Sequence, residues 1–339
     1  MGIGIKSRTA SGDHRPALSC RQTIRLVVKR LLPLIASAGP TMHRRSFLAA
    51  TSFIAGMSAL RAQPDMRLRS RKALWESQSP THRFAQRRFD SVDGLRRYHV
   101  FVAVPIADRP AGGWPAICML DGNAAFDDLR QEDLDRAREH VLIGIGYETE
   151  GRHDVEARTQ DYTPPIPPAE TALPGDADSA EKAGGADIFL ALLAERILPD
   201  LTKDFSLDPA RRMLWGHSYG GLFVLNALFK QPDLFRSYCA VSPSLWWRAP
   251  LMLQAEEVSK HRAAGQSDLS ILYDVTKDFR GDERRKARML RGRAMLDDML
   301  ARLAARPDIV LTQRAYPGEN HGSMFQVGLR AALARGVSN

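Results

Sequence analysis

The sequence predicts an α/β fold: a mostly parallel central sheet, opened by an antiparallel hairpin and covered by helices on both faces. Three observations carry this. Residues 82–90 (HRFAQRRFD) and 96–105 (RRYHVFVAVP) alternate polar and apolar side chains around the turn residues SVDG, a hairpin pattern. The runs 115–120 (PAICML) and 140–147 (HVLIGIGY) are apolar without a break, as strands covered on both faces are. Beyond them strand and helix patterns alternate to the C-terminus, which is how repeated β-α units of one sheet read.

The elements follow in order. Apolar residues at helical spacing predict a helix over 187–201 (DIFLALLAERILPDL). A strand is expected at 211–216 (RRMLWG), a helix at 222–231 (LFVLNALFKQ), then strands at 236–242 (RSYCAVS) and 269–275 (LSILYDV). A long helix over 284–305, a strand over 308–316 (DIVLTQRAY) and a helix over 324–334 (MFQVGLRAALA) complete the series. The segment at about 148–185 fits no element, since it carries Pro and Gly throughout and has no apolar period. It leaves the end of a central strand, on the side where open α/β sheets bind ligands, and reads as a cover over the site. No internal repeat and no second domain is visible, so residues 63–339 read as one domain.

Charge distribution narrows the function. The 339 residues carry a formal net charge of +9, yet residues 1–62 hold ten Lys or Arg and one acid, so the rest of the chain is balanced. A basic groove for nucleic acid is therefore not expected. From Met42 the chain reads MHRRSFLAATSFIAGMSALRAQ, with paired arginines, a short small-residue-rich apolar run and a cleavage-like Leu60-Arg61-Ala62. This pattern is that of a twin-arginine export signal at 42–62. It predicts a periplasmic protein with no stable membrane insertion after cleavage. Residues 1–41 then read as an upstream extension, flexible or not translated. Three cysteines are too few for a disulfide scaffold. Cys118 and Cys239 read as buried thiols, kept apart by an intervening strand.

The chemistry concentrates at Gly216-His217-Ser218-Tyr219-Gly220, a G-x-S-x-G between a strand and a helix. Such a turn forces the serine into a strained backbone and lifts its hydroxyl clear of the sheet. Glycines two residues to either side are expected wherever a Cβ would strike strand or helix. A serine hydroxyl needs a base to become a nucleophile. His321, on a glycine-bounded loop after the last strand (AYPGENHGSMF), fits the order nucleophile, acid, base. The acid should follow the strand at 269–275, where Asp278 and Asp282 rank level and Asp274 and Glu283 are further candidates. Backbone N–H donors for an oxyanion are expected at Tyr219 and at Gly122 or Asn123. Trp246 and Trp247 could form a flat platform for an aromatic substrate, with Arg248 beside them for negative charge.

Taken together, MLDGNAAF, YETEGRHDVEARTQDYTPP, GGADIFLALLAERILP, RRMLWGHSYGGLFVLNALF, FRSYCAVSPSLWW and YPGENHGSMF resemble the esterase D-like α/β-hydrolases, above all the periplasmic esterases that open catecholate-siderophore trilactones. The similarity spans nearly all of residues 80–335. It implies an α/β-hydrolase fold, nucleophile Ser218, base His321, no metal or organic cofactor, and a small-molecule ester as partner, an iron–siderophore complex included. It also implies a Ser–His pair whose third acid is ill-defined. The bulk of SPSLWWRAP departs from that branch towards the broader family. That leaves a general or feruloyl-type carboxylesterase, an acyltransferase, or a non-catalytic binding protein on the same scaffold as alternatives.

Overall fold

The computed structural model describes residues 68–70, 78–166, 183–248, 251–263, 265–275 and 283–336. The expected signal at 42–62, the stretch 1–41 and residues 167–182 of the Pro/Gly-rich segment lie outside the described residues.

One sheet organises the chain. Its strands are β1 (His82–Asp90), β2 (Arg97–Pro105), β3 (Trp114–Leu120), β4 (Val141–Tyr147), β5 (Leu207–His217), β6 (Ser237–Val241), β7 (Ser267–Asp274) and β8 (Ile309–Tyr316). They stand in the order β1-β2-β4-β3-β5-β6-β7-β8. β2 pairs antiparallel with both β1 and β4, and every later pairing is parallel. The fold is thus the α/β-hydrolase type, with the expected N-terminal hairpin. The chain passes from β4 across β3 to β5, so the order reverses between β3 and β5. Open α/β sheets bind ligands at the carboxyl ends of the strands flanking such a reversal.

Helices cover both faces. They are α1 (Gly122–Asp128), α2 (Gln131–Arg136), α3 (Val155–Tyr162), α4 (Ala186–Leu192), α5 (Leu198–Phe205), α6 (Tyr219–Lys230), α7 (Leu251–Glu257), α8 (Glu283–Ala304) and α9 (Met324–Gly336). The strand period of two divides the core. Val100, Val102, Cys118, Leu120, Ile143 and Leu214 pack with the side chains of α4 and α6. Phe101, Ile117, Met119, Leu142, Met213 and Trp215 pack with α1 and α9 on the other side. Cys118 and Cys239 fall on opposite faces, separated by β5, and both are free and buried. Burial pushes each thiol up to about 12, so both are held protonated and inert.

Three departures from the sequence reading stand out. The supposedly irregular segment after β4 contains α3, started by Asp154, whose carboxylate accepts the N–H of Ala157 at 3.0 Å. Its inward face is Arg158, Thr159, Asp161 and Tyr162, so a helix is present without any apolar period. The stretch after β3, for which no element is predicted, forms α1 and α2, and α7 follows the Trp pair. Finally, the helix expected over 187–201 runs on to Phe205 and widens to a π-turn at Leu193–Ile197.

Candidate active site

β5 ends at His217 and α6 begins at Tyr219, leaving Ser218 alone at the corner with φ 60° and ψ −115°. A side chain there costs on the order of 1–3 kcal/mol, which the surroundings must offset. They do so through the backbone. The Ser218 N–H donates to Val241 O at 2.9 Å, and its carbonyl accepts from Leu222 N–H at 3.0 Å and Ser244 N–H at 3.2 Å. A Cβ on Gly216 would overlap the Gly220 carbonyl, and one on Gly221 would press on Val241 O at 3.0 Å and Pro243 Cα at 3.1 Å. A Cβ on Gly220 would meet nothing nearer than Leu120 at 3.6 Å. Of the two flanking glycines of the motif, the corner sterically requires the first and not the second.

His321 reaches this corner from the β8–α9 loop, with Nε2 3.0 Å from Ser218 Oγ. The loop is shaped locally. Gly318 takes φ 89°, and the Asn320 carboxamide oxygen accepts the N–H groups of Gly322 at 2.9 Å and Ser323 at 3.1 Å. Two further contacts lie at the same corner. His217 Nε2 is 2.7 Å from the backbone oxygen of His321. A carbonyl only accepts, so Nε2 bears the proton. Burial, reinforced by the nearby His321, holds the His217 ring well below the ordinary imidazole range and therefore neutral. Ser244 Oγ lies 3.0 Å from Ser218 Oγ.

Asp278 and Asp282 lie outside the described residues. Asp274 ends β7 and accepts a hydrogen bond from Ser242 Oγ at 3.1 Å. Glu283 begins α8 with a solvent-exposed side chain.

At the end of β3, across the reversal point, Asp121 adopts φ 51° and ψ 47° immediately before α1. Its carboxylate receives Arg158 Nε and Nη2, each at 2.9 Å, while its N–H donates to the Tyr162 hydroxyl at 3.1 Å. Burial alone would raise this carboxyl, yet the Arg158 charge holds it well below the usual range. The guanidinium also lies 5.6 Å from the Tyr219 ring centroid, so the pair abuts the first turn of α6. Asp161, equally buried, receives Tyr98 OH at 2.9 Å, Tyr147 OH at 3.2 Å and only a one-atom approach of Arg96 at 3.3 Å. There desolvation prevails, and its carboxyl is pushed up to about 6. Gly122 and Asn123 occupy the first turn of α1. A Cβ on Gly122 would overlap the Gly144 backbone, and the Asn123 carboxamide bonds both the N–H and the carbonyl of Tyr147, at 2.9 and 3.1 Å.

The tryptophan pair divides. Trp246 is half-buried, 5.9 Å from the Tyr219 ring and 4.6 Å from the Arg288 guanidinium carbon. Trp247 is 1% exposed and packs in the main core, so the expected two-ring platform is corrected to a single ring. Arg248, expected beside the rings to meet negative charge, is 5% exposed and lies in the interior. Neither Ser244 nor the Asp121–Arg158 pair is marked by a motif, and His217 read only as the neighbour of the nucleophile.

Among the described residues no three His, Cys, Asp or Glu side chains gather as metal ligands would, and no helix is long and apolar enough to cross a membrane. Ser218 and His321 are arranged as a hydroxyl and a base competent to transfer its proton.

A family model described as a putative esterase matches residues 94–335. The chain is 42% identical over 187 residues to an apo-salmochelin esterase of Escherichia coli O6:H1, covering 54% of this chain and 58% of that one. It is 36% identical over 169 residues to the ferri-bacillibactin esterase BesA of Bacillus subtilis, covering 47% and 57%. The chain thus spans less than two thirds of the length of these two relatives. Among solved structures it is similar to the enterobactin and salmochelin hydrolase IroE, with TM-score 0.60, 32% identity and coverage of 77% of this chain and 98% of that one.

Proposed function

Because this chain belongs to the putative esterase family, we propose that it is an exported serine esterase that hydrolyses siderophore-type esters, catecholate trilactones, through an acyl-enzyme. The observation that carries the reading is the 3.0 Å contact between Ser218 Oγ and His321 Nε2. The names of the relatives support the substrate class: one is a salmochelin esterase and another a ferri-bacillibactin esterase.

In this mechanism His321 Nε2 takes the Ser218 proton as Oγ bonds to the ester carbonyl carbon, and the π pair moves onto oxygen. The N–H groups of Tyr219 and of Gly122 or Asn123 receive the oxyanion, donors that need no reorganisation as charge develops. The oxyanion collapses, the alcohol departs with the proton from His321, and water repeats the sequence to free the acid. The Asp121–Arg158 pair supplies neutral but rigid surroundings, since each charge cancels the other beside the first turn of α6. Trp246, beside Tyr219, contacts the aromatic acyl portion of the substrate. Iron belongs to the substrate, not to the enzyme.

A hydrolysis panel of iron-loaded trilactones and plain aryl esters, run on wild type and Ser218→Ala, tests the proposal. Trilactone cleavage by wild type and a fall to background in the variant are expected, a loss of several orders of magnitude. Cleavage of aryl esters with trilactones ignored would replace the siderophore reading by a general or feruloyl-type carboxylesterase. No turnover, and no organophosphonate label on Ser218, would leave a binding protein. Export rests on Arg44 and Arg45; replacing both with lysine should retain the precursor in the cytoplasm, and unchanged periplasmic recovery would remove that part.

A further inference from the structure

The hydroxyl of Ser244 touches the reacting atom. Its Oγ is 3.0 Å from Ser218 Oγ, and Ser244 itself is 1% exposed. Its position does not depend on that contact. Ser244 N–H donates to Ser218 O at 3.2 Å, Ser218 N–H donates to Val241 O at 2.9 Å, and Trp247 N–H donates to Ser244 O at 2.9 Å. The segment after β6 is therefore laced to the corner by main chain, with the second hydroxyl held over the first.

The direction of the bond follows from proton count. When His321 Nε2 accepts the Ser218 proton, Ser218 has none left to give, and Ser244 is the donor. We propose that Ser244 is a catalytic residue of the deacylation half-reaction, donating a hydrogen bond to Ser218 Oγ as that oxygen leaves the acyl-enzyme. This rests on the serine-esterase reading above.

The asymmetry between half-reactions is chemical. In the free enzyme Ser218 Oγ is a hydroxyl oxygen that already accepts from Ser244, so on attack the bond strengthens from one already formed and the gain is the smaller of the two. In the acyl-enzyme it is an ester oxygen whose lone pair is delocalised into the carbonyl, a poor acceptor. During deacylation His321 takes a proton from water as water bonds to the acyl carbon. On collapse the carbonyl re-forms, the C–Oγ pair returns to Oγ, and His321 returns its proton there. Ser244 keeps its own proton throughout. Charge on Oγ grows along that collapse, so the bond strengthens between ground and transition state, the condition for accelerating a step. Loss of a donor to a charged oxygen corresponds to about 10- to 100-fold in rate.

The test is pre-steady-state hydrolysis of a 4-nitrophenyl ester by the full chain with Ser244→Ala and Ser244→Cys. The cysteine, slightly larger than serine, leaves no cavity and lacks the strong donor, so it separates loss of the hydrogen bond from cavity formation and stands alone if the alanine variant fails to fold. Expected are a nitrophenolate burst of one per active site, kcat lowered about 10- to 100-fold, and kcat/KM, which reports acylation, within about threefold of wild type. Unchanged kcat, a parallel fall of kcat and kcat/KM without a burst, or a wild-type cysteine variant would each overturn the role. Failure of the underlying reading looks different: wild type would then escape organophosphonate labelling and Ser218→Ala would keep turning over.

Discussion

The imidazole Nε2 of His217 stands 2.7 Å from the backbone oxygen of His321, so the residue before the nucleophile tethers the loop that carries the base. The strand period makes this possible. Met213, Trp215 and His217 share the face of β5 that meets α9, with Phe325 edge-on to Trp215 at 5.1 Å and to His217 at 5.6 Å. His217→Phe should fill the space and lose the donor, leaving a carbonyl unsatisfied at about 1–3 kcal/mol. We expect kcat to fall about 10- to 100-fold at unchanged KM. His217→Gln, which can still donate, should recover most of it. Equal losses in the two variants would show that the ring, and not its hydrogen bond, is what the loop needs.

The two glycines of the motif should respond differently. Gly216→Ala drives a methyl into the Gly220 carbonyl and must displace the corner, whereas Gly220→Ala meets only ordinary contacts and lies inside α6. Gly220 is the second residue of α6, where alanine is favoured over glycine by at most about 0.5–1 kcal/mol. Thermal melts should therefore give Gly220→Ala a Tm at or above wild type with activity retained, and Gly216→Ala a lower Tm with activity lost. A destabilised Gly220→Ala would contradict the space seen around it.

Legibility in the sequence followed the physics of each signal. The strands and the nucleophile corner were readable because apolar runs and glycine spacing are local properties: residues 211–216 lie within β5, and the helix expected over 222–231 falls on α6 to within its C-terminal residue. α3 was not, because its buried face is Arg158, Asp161 and Tyr162, stabilised by partners on β2 and immediately after β3 that periodicity cannot see. Trp246 and Trp247 are adjacent and alike in sequence, and the chain turning at φ 39° for Arg248 is associated with one ring half-exposed and the other in the core. Ser244 is an ordinary serine until the sheet brings β5 and β6 side by side.

The buried pair Asp121–Arg158 should tolerate no single-sided change. With both side chains sealed, Asp121→Asn leaves the guanidinium charged and without its counter-ion, at a cost of about 3–5 kcal/mol. Asp161→Asn should be milder, because its carboxyl is already pushed up to about 6 and its replacement still meets Tyr98 and Tyr147. Denaturant melts near pH 7 compare the two directly. An Asp161→Asn loss as large as that of Asp121→Asn would refute the contrast.

His217 also sets a dependence of stability on pH. Its ring is fully buried and its proton affinity is depressed first by burial and then by His321. Below the ordinary value of 6.5 the unfolded chain protonates this ring while the folded chain does not. The unfolded state then binds more protons, so stability is complete above 6.5 and is lost as pH falls below it, by up to about 1.4 kcal/mol per pH unit. His82, depressed mainly by burial, acts in the same direction. Asp161 acts oppositely between about 6 and its ordinary 3.8, because there the folded state binds the extra proton. Two imidazoles against one carboxyl leave a net loss on acidification. Urea melts from pH 7.5 to 5 should show stability declining below 6.5 in wild type and declining less steeply in His217→Gln, which removes one titrating ring. Parallel pH profiles for the two proteins would mean that the buried ring takes up its proton as readily folded as unfolded.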